Sequence, residues 1–125
     1  GDATPGDRVL LDAPCSGSGT LRGNPEIKLR LRPEDVARLA RLQAGMLRAA
    51  ARAVRPGGTL LYAVCSLTPE EGVLQAEAFL RHEAGFAPVP LPAAPGVLSP
   101  AAVGAYVLPV GGLDGFYLAH FERRA

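Results

Sequence analysis

Cysteine is scarce in this 125-residue chain, with two in all, and that scarcity excludes several classes at once. Two thiols make at most one bridge, too few for the disulfide framework of a small secreted domain, so both are expected to be reduced. They are also too few for a structural zinc site, and neither His82 nor His120 stands at ligand spacing from either cysteine. No metal is expected. Long apolar runs are missing as well: none approaches the roughly 20 residues of a membrane span, and no charged head with an apolar stretch opens the chain as a secretion signal would. These absences predict a cytoplasmic protein with no membrane partner. Nucleotide signatures are lacking too. SGSGTLRG, Ser16 to Gly23, is glycine-rich, yet its spacing fails the dinucleotide fingerprint and no Gly-Lys-Ser/Thr follows. Gly17-Ser18-Gly19 likewise lacks the glycine spacing of a nucleophile elbow. The first position holds Gly1 in place of methionine, and a strand-like pattern follows almost at once, which reads as a cut through a longer polypeptide.

What is present fits one globular domain over residues 1–125, at 48% hydrophobic and 20% charged. The net charge of +1 hides a local imbalance: nine lysines and arginines run from Arg22 to Arg55 against Glu26, Glu34 and Asp35. Such a surface suits a polyanion such as RNA. A solvated helix face explains the same residues.

VLLDAP, Val9 to Pro14, is a short continuous apolar run that predicts a strand buried on both faces of a parallel sheet. Glycines and Pro25 make the next segment a loop. Pro33 followed by Glu34 and Asp35 predicts a helix start, because proline suits the first turn and acids suit the positive end of the helix dipole. Val36, Leu39, Ala40, Leu47, Ala50, Ala51 and Val54 continue at helical spacing, and Pro56-Gly57-Gly58 is the expected stop. TLLYAVCS, Thr59 to Ser66, predicts a second buried strand. Thr68-Pro69-Glu70-Glu71 spells a capping box for a helix that buries Val73, Leu74, Ala76, Phe79 and Leu80 and stops at Gly85. Phe86 to Leu91 predicts a third strand. Residues 92–105, loaded with Pro, Ala and Gly, predict an irregular connection, and GFYLAHFER, Gly115 to Arg123, a last strand beside the third. The whole is an α/β layered fold.

LLDAPCSGSG at Leu10 and LLYAVCSLTP at Leu60 both close an apolar run with Cys-Ser. Ligands of open parallel sheets sit outside the carboxyl ends of the strands. If the two strands are neighbours, roughly 5 Å apart, then Cys15, Cys65 and Asp12 converge on one crevice. A thiolate there is a nucleophile suited to covalent catalysis, and a helix starting near Thr68 favours the ionised form of Cys65. The residues alone also allow two inert, buried cysteines, or a cysteine hydrolase pairing Cys65 with His82 or His120.

DAPCSGSG at Asp12 to Gly19, Arg22, Asn24-Pro25-Glu26-Ile27-Lys28, the Pro56-Gly57-Gly58 turn, LLYAVCSLTPEE at Leu60 to Glu71 and Asp114-Gly115-Phe116-Tyr117 resemble the RNA (cytosine-5) methyltransferases of the Sun/Fmu group. The likeness keeps their order and covers nearly the whole chain. It implies a partial Rossmann-like class I methyltransferase fold, the C-terminal half of the sheet ending in an antiparallel strand pair. It further implies S-adenosylmethionine as cofactor of the complete protein and RNA, ribosomal by implication, as substrate. By the same resemblance Cys65 attacks carbon 6 of cytosine, Cys15 assists release of the adduct, and Asp12 lies near cofactor and base. The target base must leave its stack, and Arg22 and Lys28 become phosphate contacts. Val64 stands where the family commonly has threonine, a change that keeps the shape and removes a hydroxyl. The glycine-rich turn and the ribose-binding acid lie upstream in the family, so the other half of the same catalytic domain is an expected partner. The chain by itself is then expected to be inactive. A non-catalytic RNA-binding module or truncated paralogue is the alternative to that activity.

Overall fold

Pro33 opens the longer of two helices in the computed structural model, which describes residues 6–15, 32–108 and 115–125. This helix, α1 (Pro33–Ala53), has the proline in its first turn, Glu34 and Asp35 beside it and Arg52 in its last turn, so both ends carry charges that oppose the helix dipole. It follows β1 (Gly6–Asp12) and leads into β2 (Val54–Val64). After it come α2 (Val73–His82), β3 (Phe86–Val89), β4 (Leu98–Pro100), β5 (Ala105–Val107) and β6 (Phe116–Arg123).

The strands form one sheet in the order β1-β2-β6-β5-β4, with β3 also paired to β6. β1 and β2 are parallel, and every other pairing is antiparallel. Alternation sets the core. Leu60, Tyr62 and Val64 of β2 and Tyr117, Ala119 and Phe121 of β6 are fully buried, and the residues between them are half-buried. These side chains join Leu47 and Ala51 of α1 and Ala76 and Phe79 of α2 in a single cluster. Phe79 packs its ring against Phe86 and Phe121 at centroid separations of 5.1 and 4.8 Å.

Four sequence expectations change. β1 is not buried on both faces: Val9 and Leu11 pack against the core, while Leu10 is 65% exposed. An apolar run fixes a strand but does not say which faces are covered. Pro56-Gly57-Gly58 does not separate helix from strand, because β2 begins at Val54. Gly6 pairs with Val54 and Arg8 with Thr59, so two steps along β1 match five along β2 and the turn is looped out of the ladder. A Cβ on Gly58 would lie 2.7 Å from the Asp7 carbonyl oxygen, so glycine is required there. Leu74, expected in the core, is 49% exposed. Finally, the segment 92–105 holds β4 and the first residue of β5, which pair as a short hairpin. The last strand does pair with the third, and also with β2 and β5.

Candidate active site

Parallel pairing brings both cysteine segments to one edge of the sheet. Asp12, the last residue of β1, lies opposite Ala63, and the Ala13 N–H donates to the Ala63 oxygen at 3.1 Å. Cys15 follows three residues after the end of β1 and Cys65 directly after β2. Both are half-buried, and neither is in a disulfide. Asp12 is exposed, whereas Cys15 packs against the core. Arg22 and Lys28 lie outside the described residues.

A buried polar cluster underlies this edge. Glu71, Gln43 and Ser66 are fully buried. Glu71 Oε2 accepts hydrogen bonds from Ser66 Oγ at 2.5 Å and Thr68 Oγ1 at 2.7 Å, and Oε1 accepts from Gln43 Nε2 at 3.1 Å. Gln43 Nε2 also donates to the carbonyl oxygen of Pro14 at 2.9 Å. Both of its partners are acceptors, which fixes the orientation of the amide. Tyr62 OH donates to the Glu71 carbonyl oxygen at 2.7 Å. Burial, and after it the charges of Glu71 and Cys15, push the Tyr62 hydroxyl far above its ordinary range, so it remains a donor. Each carboxylate oxygen of Glu71 thus has a donor, as a buried carboxylate requires.

The capping box expected at Thr68 is not formed. Helix α2 starts at Val73 with Gly72 as its N-cap, and no side chain caps it. Thr68 to Gly72 is instead a turn in which the N–H groups of Glu71 and Gly72 both donate to the Thr68 oxygen. Glu71 receives the Thr68 hydroxyl rather than its N–H, which donates to Ser66 Oγ at 3.1 Å. The i, i+3 pairing that a capping box uses serves here to close a buried site. The helix start therefore lies eight residues past Cys65, not three, which removes the expected sequence argument for dipole activation of its thiol. A Cβ on Gly72 would lie 2.8 Å from Tyr106 OH and 2.9 Å from Tyr117 Cγ, so the turn sits hard against that aromatic pair.

Other candidates fall away from the edge. His120 pairs with Leu61, four residues before Cys65 and about 13 Å away along a strand. His82 is exposed at the end of α2. Val64 is fully buried in the core cluster opposite Tyr117, so its missing hydroxyl concerns the core. Arg41, Arg48 and Arg52 are exposed on α1, while Arg32 and Arg38 both meet Asp35 at 3.4 and 3.7 Å. Among the described residues no group of His, Cys, Asp or Glu could hold a metal ion, and no helix is long and apolar enough to cross a membrane.

Gln43, Ser66, Tyr62 and the inward role of Glu71 escape motif reasoning. Gln43 did leave a trace: position 43 falls on the apolar stripe of α1, between Ala40 and Leu47, and is polar.

A sheet that carries Asp12, Cys15 and Cys65 to the carboxyl edge of adjacent parallel strands, backed by helices on its core face, is part of a Rossmann-like methyltransferase fold. The family model described as 16S rRNA methyltransferase RsmB/F matches residues 2–122, and the chain belongs to that family. It is 51% identical over 116 residues to ribosomal RNA small subunit methyltransferase B of Thermus thermophilus, covering 93% of this chain and 29% of that protein. Against the protein of the same name from Vibrio cholerae the identity is 46% over 120 residues, covering 94% and 26%. Among solved structures, NSun6 from Pyrococcus horikoshii, solved with SFG, superposes with a TM-score of 0.80 at 27% identity, covering 98% of this chain and 31% of that one. The chain spans less than a third of each of these proteins.

Proposed function

We propose that this chain carries the cysteine pair of a ribosomal RNA methyltransferase that modifies carbon 5 of a cytosine. The observation that supports this is the convergence of Cys15 and Cys65, fifty positions apart, on one edge of two parallel neighbours. Carbon 5 of cytosine is a weak nucleophile. Addition of the Cys65 thiolate to carbon 6 forms a carbon–sulfur bond and moves the ring electron pair towards carbon 5, which then takes a methyl group. Transfer of the carbon 5 proton to the Cys15 thiolate returns the electrons to the ring and expels the Cys65 thiolate, which is how Cys15 assists release. Arg22 and Lys28 contact phosphates of the RNA.

S-adenosylmethionine supplies the methyl group when bound. The exposed carboxylate of Asp12, at the carboxyl end of β1 and beside Ala63, fits an edge-bound cofactor and a base whose amino group donates to it. One acid is not a pocket, so the remaining cofactor contacts are assigned to the other half of the catalytic domain.

The test uses the complete protein, its RNA and S-adenosylmethionine. Cys65→Ala is expected to abolish both methyl transfer and the covalent RNA adduct, and Cys15→Ala to let the adduct accumulate, as read on a denaturing gel. Methyl transfer surviving in Cys65→Ala would overturn the mechanism. RNA binding without methyl transfer by the unaltered protein would mean a non-catalytic module.

A further inference from the structure

At the ends of β1 and β2 the Ala13 N–H donates to the Ala63 oxygen, and both strands stop before their cysteines. Side chains also connect the two segments. The Pro14 carbonyl adjoins Cys15 and the Ser66 hydroxyl adjoins Cys65. Between them run Gln43 and Glu71, through bonds of 2.9, 3.1 and 2.5 Å. We propose that Gln43 and Glu71 are positioning residues whose hydrogen bonds form a strut that sets the spacing of Cys15 and Cys65.

Three observations carry this assignment. The anchor is rigid, because Gln43 lies in the middle of the 21-residue helix α1, fully buried, one turn before the buried Leu47. The pair is costly, because an apolar pair would pack α1 against the Thr68–Gly72 turn without desolvating a carboxylate and an amide. What the polar pair adds is direction, since hydrogen bonds fix distance and angle where apolar contact does not. Gln43 Oε1 has no partner among the described residues, so this glutamine serves through its two donor contacts. Tyr62 holds the main chain of Glu71 through its carbonyl, and Thr68 holds the carboxylate beside Ser66, which leaves that group little freedom to rotate.

The catalytic meaning of the spacing rests on the function proposed above, but the spacing can be read without methyl transfer. The experiment treats the complete protein with bis-methanethiosulfonate reagents of increasing span and quantifies the Cys15–Cys65 linked peptide by mass spectrometry. One span is expected to dominate in the unaltered protein. Gln43→Glu keeps the shape and loses the donors, and Glu71→Gln sets a donor against donors. In both, the yield at that span is expected to fall about tenfold, as for loss of a hydrogen bond to a charged group, and to spread over other spans. Labelling of each thiol by a monofunctional reagent should stay within about twofold, because burial is unchanged. Gln43→Met, neutral and of similar size, gives the same reading if Gln43→Glu fails to fold. Leu47→Ala, which weakens the same helix without touching the strut, is expected to keep the original span. An unchanged span in folded Gln43→Met, or an equal loss in Leu47→Ala, would overturn the assignment. A strut confirmed in a protein without methyl transfer would sink the proposed function alone.

Discussion

Tyr62 shows how one side chain serves two roles. Its ring fills the core beside Tyr117 at a centroid separation of 6.2 Å, and its hydroxyl caps the Glu71 carbonyl. Tyr62→Phe keeps the first role and leaves a buried carbonyl without that donor, so stability should fall by about 1–2 kcal/mol in a urea titration. Val64→Thr is expected to destabilise by about 1–3 kcal/mol in the same assay, because the hydroxyl enters an apolar cluster. The cysteines and Asp12 were legible as a group because each closes a strand, and strand ends in a parallel sheet meet at one edge. Gln43 was not, because only the fold reveals that a polar position on the inward stripe of α1 faces a carbonyl twenty-nine residues earlier. Glu71 was legible as the partner of Thr68, but its direction depends on Ser66 and Gln43, and no local pattern reports those.

At the level of elements, α1 was the clearest feature of the sequence: proline, acids and apolar spacing agree with one another, and the helix begins at the proline, although it ends at Ala53, ahead of the expected Pro56-Gly57-Gly58 stop. Its hold on the sheet passes through Leu47, 1% exposed, and Leu47→Ala should cost about 2–5 kcal/mol, measured by thermal or denaturant unfolding. Strand exposure was less legible. The same kind of apolar run produced a strand with a fully buried face in β2 and a strand with Leu10 exposed in β1, because coverage is decided by what packs on each face. The hairpin of β4 and β5 was hidden for another reason. Its strands are three residues each and hold together by docking on β6, so their proline and alanine content carries no strand signal of its own.

Across the molecule, all three tyrosines have hydroxyls raised above the ordinary value of 10.0, with burial as the main cause in each. The unfolded chain therefore gives up these protons at lower pH than the folded one. Their contribution to stability is complete below about pH 10 and is lost as the pH climbs above it. For Tyr62 and Tyr117, whose hydroxyls are pushed furthest up, tyrosinate absorbance at alkaline pH is expected to appear together with the loss of helical circular dichroism, in one cooperative step. Ionisation of more than one tyrosine before the helical signal is lost would contradict that expectation.

The last in chain order of the six strands among the described residues, β6, lies inside the sheet, with β2 on one side and β3 and β5 on the other. A ribosome making this polypeptide releases residues 116–123 only after β2, β3 and β5, the strands that flank them in the sheet, have emerged. Every shorter nascent chain exposes the apolar faces of β2 and α2, so a premature stop before Phe116 should yield a product that chaperones hold or proteases clear, however complete its cysteine segments are.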